Sequence, residues 1–179
     1  MAFKRNICKF LLKHLGGMLP LQRHPGGKLG NRIRCRLAKG IVKQMGDNCI
    51  VEPRAEIMEG CVLGNRTGIG PDCLIGPNTI FKGHSLMAPN VHIFTTGHHY
   101  DEEKHRFWGQ EKIKSVTIGE NVWLGYGVTI LPGVTIGNNV IIGAGSVVTK
   151  DIPNGVMAAG NPCVVKKVID KEIFEEKEF

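Results

Sequence analysis

Residues 45–98 read MGDNCIVEPRAEIMEGCVLGNRTGIGPDCLIGPNTIFKGHSLMAPNVHIFTTGH. Within them an apolar side chain returns at every sixth position: Met45, Val51, Ile57, Leu63, Ile69, Ile75, Phe81, Met87 and Ile93. The spacing resumes at Ile118 and runs through Leu124, Ile130, Ile136, Ile142 and Val148. Glycine often follows the apolar residue, as at Gly46, Gly64, Gly70, Gly76, Gly119, Gly125, Gly137 and Gly143. Four residues after the apolar one stands a small or β-branched residue: Cys49, Ala55, Cys61, Thr67, Cys73, Thr79, Ser85, Val91, then Val122, Val128, Val134, Val140 and Ser146. A period of six fits neither the helical nor the strand repeat. It fits an all-β solenoid whose coil has flat faces joined by tight corners, with one inward residue per face. The glycines relieve backbone crowding at the corners.

Nine hexapeptides fill residues 45–98. Counting back from Ile118, Lys112 opens the next unit and seven units run from there to Pro153, giving sixteen. The break then holds thirteen extra residues, His99–Glu111, with the sequence HYDEEKHRFWGQE. It reads as a loop thrown out from one corner, and loops on rigid scaffolds are where function concentrates. Three segments follow: a basic helical arm over 1–44, the solenoid over 45–153 with its insertion at 99–111, and a C-terminal segment over 154–179.

The net charge of +7 is unevenly placed. Residues 1–46 hold eleven Lys or Arg and no Asp or Glu, while the remainder has twelve basic and sixteen acidic residues. A basic arm points to an anionic partner or, more simply, to a solvated cap on the first coil. Phe3, Ile7, Phe10, Leu11, Leu15 and Met18 recur at helical spacing between Lys4, Lys9 and Lys13, predicting an amphipathic helix over 3–19. Residues 21–30, with Pro25-Gly26-Gly27, read as loop, and 31–44 as a second short helix with Ile33, Leu37 and Ile41 on one side. Residues 169–179 read as a short charged C-terminal helix. FLLKHLGGML is broken by Lys13 and His14, so it is not read as a secretory signal, and no run reaches the ~20 apolar residues of a membrane span. The expectation is a cytoplasmic protein, peripheral at the inner face of the membrane if the arm engages lipid. No nucleic-acid-binding motif accompanies the charge.

Cys49, Cys61 and Cys73 share the small position of the hexapeptide and lie twelve residues apart, so they fall on different faces. They read as small buried groups, and with no CxxC pair neither a disulfide set nor a metal site is expected.

The rhythm resembles that of the hexapeptide-repeat acetyltransferases. The resemblance sharpens at APNVHIFTTGHHYDEE (88–103) and at TIGENVWLGYGVTILPGVTIGNNVIIGAGSVVTKDIPNGVMAAGNPCVVKKV (117–168), which look like the galactoside and maltose O-acetyltransferases. It implies a left-handed parallel β-helix of three hexapeptides per coil, so sixteen units make a little over five coils. It also implies a homotrimer and transfer of acetyl from acetyl-CoA to a hydroxyl of a sugar or polysaccharide precursor. A hydroxyl is a weak nucleophile and needs a general base. The resemblance assigns that role to His98, with His99 as its rival. Asp101, Glu102, Glu103 or a backbone carbonyl would orient the imidazole. The oxyanion donor would be the Tyr126 N–H after Trp123-Leu124-Gly125, with Trp123 lining the acceptor and pantetheine site. Gly143 and Ala144 would admit the pantetheine arm, Thr149 and Lys150 would touch its outer half, and Lys166 and Lys167 would meet the phosphates. Tyr126 stands where the galactoside enzymes carry a small Ser, and NRTGIGPDC lacks their sugar-contacting Asn in register, so the acceptor differs. The lead-in NRIRCRLAKGIVKQMGDNCIVEP looks like the branch acting in capsule and exopolysaccharide assembly. Three other readings remain: an N-acetyltransferase of an amino-sugar nucleotide, a non-catalytic solenoid module, and a zinc hydratase on the same helix, which would need three converging His.

Overall fold

The computed structural model describes residues 2–169. The expected C-terminal helix lies almost wholly outside them. The chain winds into a left-handed β-helix of three parallel sheets. The first face stacks Gln44–Met45, Val62–Leu63, Ile80–Gly83, Thr117–Glu120 and Thr135–Ile136. The second stacks Ile50–Val51, Gly68–Ile69, Leu86–Met87, Val122–Leu124, Val140–Ile142 and Val156–Ala159, and ends in antiparallel Val164–Val168. The third stacks Glu56–Ile57, Leu74–Ile75, His92–Ile93, Thr129–Ile130 and Val147–Val148. Residues eighteen apart pair on each face: Leu63 with Phe81, Val51 with Ile69, Ile57 with Ile75.

The sixth-position residues point inward as their spacing requires. From Val51 to Val148 all of them are buried, as are all the small residues four positions on. Burying each such aliphatic side chain is worth about 1.5–3 kcal/mol, and the stack supplies most of the core. Hydroxyls in the small position are satisfied at the corner: Thr67 donates to the Gly64 carbonyl at 2.8 Å and Thr79 to the Gly76 carbonyl at 2.7 Å. Cys49, Cys61 and Cys73 lie on three different faces as free thiols, and burial pushes Cys61 and Cys73 up to about 11. The glycine after the inward residue is there for want of room. At Gly64 a Cβ would sit 2.1 Å from the Lys82 carbonyl oxygen of the next coil.

A second corner rule was not read from the sequence. The third residue beyond the inward side chain adopts left-handed backbone at every corner but those after Ile93 and Val148: Asn48, Arg54, Arg66, Asp72, Asn78, His84, Asn90, Asn121 and Asn139, with glycine at 60, 127, 133 and 145. Asn, Asp and Gly tolerate that region best, which explains their frequency here.

The insertion is longer than thirteen residues and is not a plain loop. Phe81 pairs with Ile118, 37 residues on, where one coil takes eighteen, so nineteen residues are extra. The difference is the supposed unit at Lys112. That side chain is exposed and forms no rung, and the repeat gives fifteen faces from Met45 to Val148, not sixteen. Part of the excursion is a β-hairpin, His98–Asp101 against Arg106–Gln110. The solenoid also outlasts Pro153. Ile152 bridges to Ile136, and Met157 and Ala158 pair with Ile141 and Ile142. That last advance is sixteen residues instead of eighteen, so the six-residue count misses it.

The arm forms an antiparallel helical pair over the first coil. Helix α1 (Ala2–Leu11) continues through a π-helical turn at Leu12–Gly16, and α2 spans Gly27–Lys39. The second helix thus starts four residues before the sequence expectation. Gly27 and Gly30 are packing residues and not breakers: a Cβ at Gly27 would lie 1.9 Å from the Leu21 carbonyl oxygen. Arg34, fully buried, holds the pair to the solenoid. It donates to the Val51 carbonyl and, through its terminal nitrogens, to Pro20 at 3.2 Å, Leu19 at 3.3 Å and the Glu52 carboxylate at 3.4 Å. Burial pulls its guanidinium below the usual arginine range, and Glu52 opposes that. The arm caps the first coil, but not with the bulky apolar stripe of α1: Cys8, Leu12 and Gly16 face inward, while Phe3, Ile7, Phe10, Leu15 and Met18 face solvent.

Candidate active site

His98 opens the first strand of the hairpin, where the chain leaves the edge between the third and first faces. Its ring is exposed. The hairpin register shifts between His98 and His99. The Nδ1 of His98 lies 3.2 Å from the Gly109 carbonyl oxygen on the partner strand. A carbonyl only accepts, so Nδ1 carries the proton and Nε2 keeps its lone pair. The orienting group is therefore this backbone carbonyl and none of Asp101, Glu102 or Glu103. Asp101 is engaged in the turn, accepting from the Lys104 N–H at 3.0 Å and pairing with its ammonium at 3.7 Å. Gly109 reaches its place with φ +58. His99 packs edge-on against Trp108 with ring centroids 5.0 Å apart. Beside it an open cleft of about 410 Å³ is lined by His99, Trp108, Gln110, Glu111, Lys112 and Lys114.

The other sequence-predicted residues occupy different places. Trp123 projects from the second face, about half exposed. Gly125 and Tyr126 begin the edge between the second and third faces, and Gly143 and Ala144 stack on them one coil later. Tyr126 is exposed, and its hydroxyl accepts a hydrogen bond from the Asn90 amide at 3.0 Å. The N–H groups of Tyr126 and Ala144 make no backbone hydrogen bond among the described residues. At the same corner position Pro53, Pro71, Pro77, Pro89 and Pro132 carry no N–H, and Asp47, Glu120 and Asn138 donate theirs to an Asn Oδ1 of the next coil. The candidate oxyanion donor thus stands where a donor survives without such a partner. Gly127 and Gly145 lie next along this edge, and a Cβ on either would meet nothing within 4 Å. The result is a strip of bare backbone along which a narrow chain can lie. Gly143 itself is a packing glycine, since its Cβ would come within 2.9 Å of Ala159. Thr149 and Lys150 are exposed at the edge that carries His98, two coils further on. Lys166 and Lys167 are exposed on the antiparallel end strand.

Within one chain the ten residues are therefore not gathered. His98, Thr149 and Lys150 lie at one edge of the third face, Gly125, Tyr126, Gly143 and Ala144 at its other edge, and Trp123, Lys166 and Lys167 on the second face. Among the described residues no three His, Cys, Asp or Glu side chains converge as metal ligands.

This architecture is shared. Residues 115–150 match the bacterial transferase hexapeptide (six repeats) family. The chain is 42% identical over 144 residues to the galactoside O-acetyltransferase of Lactococcus lactis, covering 78% of this chain and 69% of that one. It is 41% identical over 90 residues to the galactoside O-acetyltransferase of Escherichia coli, covering 49% of this chain and 43% of that one. A galactoside acetyltransferase solved in complex with coenzyme A superposes with a TM-score of 0.74 at 32% identity, covering 99% of this chain and 86% of the other. The fold is that of the hexapeptide-repeat acyltransferases. The chain belongs to the acetyltransferase family that includes the galactoside O-acetyltransferases.

Proposed function

We propose that the protein transfers acetyl from acetyl-CoA to a hydroxyl of a sugar or glycan, with His98 as general base, at sites shared between the chains of a homotrimer. The observation that carries this reading is the exposed imidazole of His98, its Nδ1 tied to the Gly109 carbonyl and its Nε2 without a hydrogen-bond partner among the described residues. In the reaction Nε2 takes the proton of the acceptor hydroxyl as its oxygen attacks the thioester carbonyl. The tetrahedral oxyanion is met by the N–H of Tyr126. Collapse breaks the carbon–sulfur bond, and the imidazolium returns its proton to the departing thiolate, leaving an acetyl ester and CoA thiol.

The exposed backbone at Gly127, Ala144 and Gly145 fits a pantetheine arm, and Lys150, Lys166 and Lys167 fit its phosphates as unconfined cations. The split between two edges supports the trimer, because cyclic closure lays one chain's edge against the other edge of its neighbour. The relatives named as galactoside O-acetyltransferases support a sugar hydroxyl as acceptor. Incubation with labelled acetyl-CoA and a panel of glycosides, oligosaccharides and amino-sugar nucleotides tests the assignment. The label should appear on a glycoside in a linkage cleaved by alkaline hydroxylamine. An alkali-stable amide, or no transfer to any acceptor, would overturn it.

A further inference from the structure

The helical pair over the first coil shows two outward faces that the chemistry above does not use. Along α1, its π-turn and the two residues beyond, Phe3 is 80% exposed, Phe10 63% and Met18 86%, with Ile7 and Leu15 between them. These bulky residues point away from the buried side of the helix, which is made of small or single contacts at Cys8, Leu12 and Gly16. On α2 the residues Lys28, Arg32, Arg36 and Lys39 follow one another at intervals of four, four and three, all exposed, which places them on one side. None of these four makes an ion pair among the described residues. By contrast Lys9 and Lys13 are spent on Glu59 and Glu56 of the coil. No acidic residue occurs in the first 46.

We infer that this helical pair docks the enzyme on an anionic lipid bilayer, the apolar stripe of α1 entering the headgroup boundary and the basic stripe of α2 facing the lipid charge. A helix whose bulky apolar side faces solvent is unstable in its exposure unless something covers it. Apolar stripe and uncompensated cations together are the pattern of an interfacial helix. A second copy of the same surface would bring its own cations against these, which disfavours self-association there. No helix among the described residues is long and apolar enough to cross a membrane, so the contact is a surface one. Each cation near an anionic leaflet strengthens partition on the order of fivefold, and salt screens it.

Cosedimentation of the full chain with vesicles tests this, using phosphatidylcholine alone and equal parts phosphatidylcholine and phosphatidylglycerol, at low and high salt. Binding should require phosphatidylglycerol and fall steeply with salt. Arg32→Glu/Arg36→Glu should abolish it, and Phe3→Ser/Phe10→Ser should weaken it at least tenfold at low salt. Melting temperature and acetyl-CoA binding should stay unchanged in both variants, separating this inference from the catalytic one. Equal sedimentation with neutral and anionic vesicles, or none with either, overturns the proposal. So does a Phe3→Ser/Phe10→Ser variant that keeps its lipid binding but changes oligomeric state, which would assign the stripe to another copy of the chain.

Discussion

Replacing His98 by alanine separates chemistry from structure cleanly. The ring is exposed and its single hydrogen bond runs 3.2 Å to the Gly109 carbonyl. Its loss should cost stability at most about 1 kcal/mol, a melting shift of a few degrees. On the proposed mechanism the substitution should lower kcat about 10²–10⁴-fold, equivalent to about 2.7–5.4 kcal/mol of activation free energy. The KM for acetyl-CoA should hold, because the role proposed for His98 is toward the acceptor hydroxyl and not toward CoA. His99→Ala removes an aromatic pair worth about 0.5–1.5 kcal/mol and no base, so its rate should fall less than tenfold. Asp101→Asn should leave the rate within about threefold, since that carboxylate serves the turn and not the imidazole. Gly109→Val, a β-branched residue at φ +58, should displace the carbonyl and reduce kcat with KM unchanged. Steady-state kinetics with melting curves on each variant decide the matter. A deeper loss at His99 than at His98, or a loss at Asp101 matching that at His98, would refute the reasoning.

Gly64→Ala should destabilise the solenoid by about 1–3 kcal/mol because its Cβ meets backbone of the next coil, and thermal melting checks it. Arg34→Ala should cost about 3–5 kcal/mol by leaving the Val51 and Pro20 carbonyls and Glu52 without their buried partner, and proteolysis should then cut first within the arm. Stability should fall as pH rises from 9 toward 11. Cys61 and Cys73 are raised from 9.0 to about 11, so the folded thiols keep protons that the unfolded chain releases. Each contributes a slope of roughly 1.4 kcal/mol per pH unit in that window, and Cys61→Ala/Cys73→Ala should flatten it in pH-dependent denaturant titrations.

The solenoid was legible because its period is set by geometry: one inward side chain per face leaves a spacing that no other fold shares, and Val51 through Ile93 display it without interruption. It failed where spacing stops being the constraint. Lys112 fell in phase by arithmetic but carries no burial. The last coil is two residues short, so Met157 and Ala158 rejoin the second face out of step. Hydropathy gave α1 its amphipathic pattern but not its orientation. Which side is buried depends on close approach at Cys8, Leu12 and Gly16, and such fit is set by partners far along the chain. At the site, the TTGH setting singles out His98 as a candidate, but the group its ring bonds to is not legible there. A backbone carbonyl eleven residues away becomes a partner only once the hairpin register exists, and no side-chain identity marks it.

The central claim is that the edge carrying His98 in one chain works with the edge carrying Tyr126 and Ala144 in another. Hybrid oligomers of two inactive chains test it directly. His98→Ala removes the base, and Ala144→Trp fills the exposed corner along which pantetheine would lie, each leaving the other edge intact. Differentially tagged chains are coexpressed, and mixed assemblies are purified through both tags and assayed with acetyl-CoA and the accepted glycoside. A mixed trimer of either composition pairs two intact edges at just one of its three interfaces, so about a third of the unmodified activity should return. Verified mixed assemblies with no more activity than either parent would contradict the account.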